Sequence, residues 1–408
     1  MTAVTTDPTP TDPQPPAGDR PDRMRAFLRD LGEGSVVRTL VAIALSLVVG
    51  LLLVVFTNED VRPTLGYLFA RPSDFFREAG AAVATAWDAL IRGAIWNTRA
   101  EDFARAIRPL TETLRFAGPL IAAGLGLAVT FRTGLFNIGG QGQMLMAAAW
   151  ASFAASQLHL PWVLHLLVAM VFGFAAAGLW AGIAGFLKAR TGAHEVIVTI
   201  MMNYIAVSLV TFLMRTPILH DMSEGQNPAT IAPDPTAVFP LLLGEGFDLR
   251  WSFVACLLAV VVFWWLMERS TLGFRLRMVG ANPEAARAAG VNVETTAILA
   301  MVISGLFVGL AGLNQAIGRE GNYGPGIDAG IGFDAITIAL VGGNGALGVL
   351  FAGLLFGAFK AASPTMQVAD VSPEVLSVMQ GMILLFIAAP PLIRQIVPFL
   401  PKPKEETR

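Results

Sequence analysis

Long apolar runs, broken by short polar and basic punctuation, dominate the chain from residue 39 onward. The runs at 39–56, 116–131, 141–158, 161–187, 195–214, 251–267, 297–317 and 375–393 each approach the length at which a helix rising about 1.5 Å per residue crosses about 30 Å of hydrocarbon. A further stretch, 332–363, is too long for one comfortable crossing and is broken by GGNGALG at 342–348, so it reads as two short spans meeting at an inner turn. The pattern predicts an all-α polytopic membrane protein with about ten transmembrane helices. Between the first two runs the chain is mixed: 74–87 and 96–107 alternate charge with Phe, Trp and Ala, the pattern of amphipathic helices at the outer interface.

Between the runs at 251–267 and 297–317 stands MVGANPEAARAAG, residues 278–290, with the signals of a small helix in water. Asn282 is a good N-cap, Pro283 takes the first helical position, Glu284 complements the positive helix start, and Gly290 can close the end. Set between two spans, this helix lies on one membrane face. It reads as a handle by which something outside the bilayer grips what is inside, or as a plain amphipathic connector.

Composition agrees with the pattern. The chain has 408 residues, 54% hydrophobic and 14% charged, with mean hydropathy +0.62, where a soluble protein carries about a quarter charged residues. A net charge of −2 does not indicate a nucleic-acid surface. Cys256, the single cysteine, can make no intrachain disulfide, and the four scattered histidines lack metal-ligand spacing. No Walker loop or catalytic triad motif is present, so an embedded enzyme is disfavoured and any energy for transport comes from an ion gradient or a partner subunit.

Loop charges give an orientation. Arg20, Arg23, Arg25, Arg29 and Arg38 precede the first run. Arg132, Lys188 and Arg190 mark short basic loops, and Arg269, Arg275, Arg277 and Arg287 surround the handle. Arg394, Lys402 and Lys404 follow the last run, so both termini and the handle are expected in the cytoplasm. The acidic stretch 215–250, with Asp221, Glu224, Asp234, Glu245 and Asp248, is expected outside. The expected organisation is a disordered cytoplasmic tail at 1–37, a membrane domain at 38–398 that includes an outer segment at 57–115 and a cytoplasmic loop at 268–296, and a second tail at 399–408.

Two stretches carry candidate chemistry. In FNIGGQGQ, beginning at Phe136, Gly139, Gly140 and Gly142 weaken the helix while Asn137, Gln141 and Gln143 offer amides beside apolar residues. The stretch is either a tight turn or a helix break lining a pathway, the latter allowed only where protein or a water-filled cavity satisfies the backbone. GIGFDAITIALVGGNGALG, 330–348, occupies a comparable late position, and paired glycine-broken segments point to a transport pathway. Asp334 within it is functional or simply solvated at the outer end. Asn203, Tyr204, Asn314 and Gln315 sit inside spans, as helix glue or as uncharged partners for a solute. Without a buried charge relay, a polar neutral solute fits better than a proton-coupled ion.

FRTGLFNIGGQGQ, AHEVIVTIMMNYIA, VGANPEAARAAG and GIGFDAITIALVGGNGALG, in this order, resemble the membrane permease of ABC importers for nucleosides and simple sugars, in the branch similar to ribose permeases. The likeness runs from about Phe116 to the final span. It implies a permease subunit that binds no cofactor itself, with ATP and Mg on a cytoplasmic ABC ATPase, a second permease subunit, identical or homologous, and an extracytoplasmic solute-binding lipoprotein. The setting implied is the lipid of a prokaryotic cytoplasmic membrane. By the resemblance, Glu284, Ala285, Ala286 and Gly290 match an ATPase-coupling motif, with Asn282, Pro283 and Arg287 beside them, and 278–290 becomes a cytoplasmic coupling helix. Phe136, Asn137, Gly139, Gly142 and Gln143 match the segment between spans two and three, and Glu195 and Asn203 the fifth-span motif. The chain departs from the pattern at Gln141, where an acid is frequent, at His194, where Asn is common, and at Gly343 to Ala346, in place of a more basic turn containing Pro. The expected function is alternating-access import of nucleosides or a related sugar; the alternative is a secondary transporter driven by an ion gradient.

Overall fold

The computed structural model describes residues 35–220 and 228–389. The tails expected at 1–37 and 399–408 lie outside them, apart from residues 35–37 in the first helix, as do Asp221, Glu224 and the terminal basic residues. The described residues form fourteen α-helices and one 3-10 turn, with two isolated β-bridges. The first four are α1 Ser35–Thr57, α2 Arg62–Leu65, α3 Pro72–Ala94 and α4 Phe103–Arg132. Then come α5 Gly140–Gln157, α6 Trp162–Thr191, α7 Glu195–Leu213, α8 Trp251–Arg269, α9 Thr271–Ala281 and α10 Pro283–Ala288. The last are α11 Val293–Ile317, α12 Ile331–Val341, α13 Ala346–Val368 and α14 Pro373–Ala388.

Seven of these, α1, α4, α6, α7, α8, α11 and α13, are long and apolar enough to cross a membrane. The chain is a polytopic all-α membrane protein. The other expected spans correspond to α5, α12 and α14. α5 is too polar for lipid because Gln141 and Gln143 open it, but 13 of its 18 residues are buried, so protein shelters what lipid would not.

Three expectations change. The span expected at 116–131 is the inner part of α4, a 30-residue helix that starts at an Asp102 cap, whose carboxylate accepts from Arg105 N at 2.6 Å, and that contains Pro109 and Pro119. The amphipathic helix expected at 96–107 is therefore split, irregular chain over 96–102 and the first turns of α4 from Phe103, whereas the one at 74–87 falls within α3. Of the two short spans expected in 332–363 only the first is short: α12 has 11 residues, about 17 Å and half a crossing, while α13 has 23.

α4 and α11 form the core. Of their apolar windows 78% and 72% are buried, against 28% for α1, α6 and α7. Small residues let the backbones meet: a side chain at Gly126 would overlap the Ser304 carbonyl, and at Gly312 the Met144 carbonyl. α13 runs antiparallel to α4, with Gly357 against Ala117 and Val349 beside Gly124. α1 and α14 are likewise antiparallel, Ala42 packing on Phe386 and Gly50 on Met379. Both ends of the described chain therefore emerge on one side of the bundle, the side that holds Val341, Gly342 and α10.

At the opposite end, residues 228–250 fold down as a cap. Phe239 N donates to the Ile317 carbonyl (3.0 Å), and Thr230 exchanges bonds with Tyr323, whose hydroxyl meets Ser152 at 2.8 Å. Burial pushes the Tyr323 hydroxyl above its ordinary pKa. Arg250 is buried, donating to the Phe239 carbonyl (2.7 Å) and to Glu320 (3.0 Å). His165 joins Thr236 Oγ1 (2.7 Å) to the Ala154 carbonyl (3.1 Å), and the Thr236 amide and hydroxyl hold the Asp234 carboxyl below its ordinary pKa.

Candidate functional site

The two glycine-broken segments meet. A side chain on Gly140 would stand 2.9 Å from the Gly332 carbonyl, and one on Gly332 would overlap the Gln141 backbone. Asn137 bonds Ser304 near the middle of α11, so the chain leaving α4 climbs to about mid-depth before α5 starts. From there α5 runs parallel to α11 toward the cap, while α12 runs toward the α10 end, its Ile338 packing beside Gly124. Two helix N-termini, each carrying about half a positive charge, thus start from one place inside the bundle.

Three of the expected pathway residues build the first start. Asn137 Nδ2 donates to Ser304 Oγ (3.0 Å), and its Oδ1 accepts from Gly139 N (2.8 Å) and Gln143 Nε2 (3.3 Å). Asn203 Oδ1 accepts from Gly142 N (2.8 Å), and its Nδ2 donates to the Ile138 carbonyl (2.9 Å). Thr199 Oγ1 accepts from Ile138 N at 3.2 Å. Gln141 points the other way, donating to Asp328 Oδ2 at 3.1 Å. Among the described residues Gln143 Oε1 is one of few buried polar side-chain atoms without a partner.

The second start is held by charge. Asp328 is buried just before α12. Lys360 of α13 reaches across to Asp334 Oδ2 (2.9 Å) and to the Ala329 carbonyl (3.1 Å). The chain enters α12 through two successive left-handed residues, Ala329 at φ +45° and Gly330 at φ +77°.

The remaining predicted residues lie apart. Phe136 is half-exposed, stacked on Phe131 at 4.9 Å, with its amide 3.5 Å from Glu195, which pairs with Lys188. Tyr204 projects from α7 with 68% of its surface exposed, whereas Asn203 beside it is buried. Asn314 bonds Ser252 (2.9 Å) beside Cys256 and Gly118, tying α11 to α8 and α4. Gln315 donates to the Ile327 carbonyl (3.1 Å) and anchors the descending loop. Sequence reading missed Asp328, Lys360, Thr199 and Ser304. A lone lysine in an apolar run, with Asp334 as the other intramembrane charge, was the available signal for Lys360.

At the α10 end, Asn282 Oδ1 caps α10 through Glu284 N and Ala285 N (3.0 Å each), Glu284 pairs with Arg287 (2.8 Å), Ala286 is buried, and Gly290 lies just past the end at φ +83°. α9, ahead of it, was not expected. The surface of α10 thus presents Pro283, Glu284, Ala285 and Arg287 to whatever meets this end.

Residues 110–388 match the family described as branched-chain amino acid transport system / permease component. Among curated relatives, the chain is similar to the guanosine ABC transporter permease protein NupP of Bacillus subtilis, 37% identical over 326 residues, 79% of this chain and 91% of the relative. It is similar to the nucleoside ABC transporter permease protein NupB of Lactococcus lactis subsp. cremoris, 34% identical over 303 residues, 71% and 82% of the two chains. It is also similar to a glucose ABC transporter permease protein of Haloferax volcanii, 33% identical over 288 residues, 68% and 75% of the two chains. These relatives are ABC permeases, and the gradient-driven alternative finds no support among them. The chain belongs to the branched-chain amino acid transport system / permease component family, as a multi-pass transport subunit rather than an enzyme.

Proposed function

We propose that this chain is one of two permease subunits of an ATP-driven importer that brings nucleosides, with simple sugars next, across the cytoplasmic membrane of a prokaryote. The observation that carries the substrate class is the match over 91% of the guanosine permease. In this reading ATP and Mg are held by a cytoplasmic ATPase that docks on Asn282 to Gly290, and a solute-binding lipoprotein rests on the cap at 228–250. The basic residues Arg132, Lys188, Arg190, Arg275, Arg277 and Arg287, on helix ends and short helices at the α10 end, support that end as cytoplasmic, and with it both termini.

Transport follows by alternating access. The solute passes the crossing of α5 and α12, where Gln141 and Asp328 offer donor and acceptor groups, with Phe136 and Tyr204 as exposed aromatic rings. A nucleoside is neutral, with hydroxyls for amides and carboxylates and a flat base for aromatic rings. Asn137, Gln143 and Asn203 shape the crossing from behind, and Asn314 and Gln315 hold its surroundings.

The test is Glu284→Arg. It reverses the charge of the docking surface while leaving the bundle untouched, so ATP-driven uptake of labelled guanosine in cells should be lost with membrane insertion unchanged. Normal uptake by that variant overturns the docking assignment. Uptake competed by glucose and not by nucleosides moves the substrate to sugars.

A further inference from the structure

α10 has only six residues, so a push on it reaches the crossing only through something stiffer. On one side the chain leaves α10 through Gly290, at φ +83° with no atom within 4 Å of the place a side chain would occupy, before Asn292 caps α11. That joint is closed only by its own turn bonds, Gly290 N to the Arg287 carbonyl and Val291 N to the Ala286 carbonyl (3.0 Å each), with nothing packed at Gly290. The other side is packed against its neighbours. Ser270 accepts from Gly273 N (2.9 Å) and donates to the Leu266 carbonyl (2.6 Å), folding α9 back on the last turn of α8, with no room at Gly273 for a side chain. At its far end α9 meets α4 backbone to backbone: a methyl on Gly280 would overlap the Arg132 carbonyl, and a side chain on Gly134 (φ +75°) would stand 3.3 Å from Gly280 Cα. Glu268 fastens the same place, pairing with Arg132 (2.6 Å) from α4 and Arg277 (3.6 Å) from α9.

Beyond that seat the path is short. Gly134 leads to Leu135, which is buried with its amide bonded to the Thr130 carbonyl, and then to Asn137, which grips Ser304 and accepts from Gly139 N just ahead of α5. Close-packed backbones with no side chain between them have nothing to absorb a displacement. We infer that the Gly280 seat and the Arg132–Glu268–Arg277 clamp carry the movement of α10 to the crossing, shifting residues 133–139 and the start of α5 together. These are positioning residues; none need touch the solute. The inference rests on α10 as the ATPase contact.

The test uses the complete importer, with its ATPase and receptor, in proteoliposomes. It reads maximal uptake of labelled guanosine, the half-saturating concentration, and ATP hydrolysed per guanosine. Gly280→Val is expected to lower maximal uptake about tenfold with half-saturation changed less than about twofold, and to raise the ATP cost of each guanosine while the ATPase still copurifies. Should that variant not fold, a cycle of Arg132→Gln and Glu268→Gln decides: the double variant should transport no worse than either single one. Wild-type uptake and ATP ratio in folded Gly280→Val, or strictly additive losses in the cycle, overturn the inference. Glu284→Arg separates the two levels. If it leaves uptake intact the docking reading itself fails; if it abolishes uptake while the Gly280 and clamp variants behave as wild type, only the transmission route fails.

Discussion

The two helix starts at the crossing solve one problem in different ways. A helix that begins inside a membrane protein exposes amide N–H groups that no water is at hand to satisfy. At α5 the answer is a neutral frame: Asn137, Thr199, Asn203 and Ser304 are buried and bond one another or the backbone of 138–142. At α12 the Gly330 carbonyl takes the Phe333 and Asp334 amides, no side chain caps the start, and an ion pair holds the turn. Lys360 and Asp334, each with about a quarter of its side chain exposed, tether a turn whose first residue, Ala329, is left-handed without being glycine. Left-handed alanine is costly and persists only where its surroundings hold it. The neutral frame ties α5 to α7 and α11, and the ion pair ties α12 to α13.

That contrast can be broken first at Asn203. Asn203→Leu strands the Gly142 N–H and the Ile138 carbonyl in buried surroundings, about 1–3 kcal/mol each, and should lower the melting temperature of the purified protein in detergent more than any change at α12. An unchanged melting temperature would mean the frame holds nothing. Lys360→Met should cost less, about 1 kcal/mol, and pairing it with Asp334→Leu should recover most of the loss, since the charge left behind does the damage. Additive losses in thermal unfolding would show that the tether is not a pair. The smallest effect is expected at Ala329→Gly. Relief of the left-handed strain, offset by glycine's greater unfolded freedom, leaves a gain of about 0.5 kcal/mol, readable as a small rise in melting temperature. A fall would contradict the left-handed turn.

Much of this fold was legible in the sequence because lipid-facing helices have to be apolar along their whole length. α1, α6, α7 and α8 fall within a few residues of the runs that announce them, and so does α11, a core helix apolar on every side. Legibility failed where protein replaces lipid as the solvent. The charges and Pro109 at 103–115 hid the first turns of α4, which pack against α3 and α13. The short reach of α12 was invisible because its apolar residues run on almost directly into those of α13, and only the contact of Gly332 with Gln141 fixes where it starts. The site divides in the same way. The amides of 136–143 and Asn203 stood out as polar residues in apolar company, and the structure brings them together. Asp328 reads in sequence as an ordinary loop acid, because nothing local says that its loop descends into the bundle.

The half-length of α12 also has a consequence for bookkeeping of sides. The residues before it, 318–330, come down from the cap end and α12 finishes the passage, so a crossing made of half loop and half helix reverses the chain as fully as a long helix does. A count of long apolar helices gives seven, an odd number that would put the two ends of the chain in different compartments. Adding α5, α12 and α14 restores even parity, in keeping with Ala42 lying against Phe386. A reporter fused ahead of residue 35 and another behind residue 389 would light up in the same compartment.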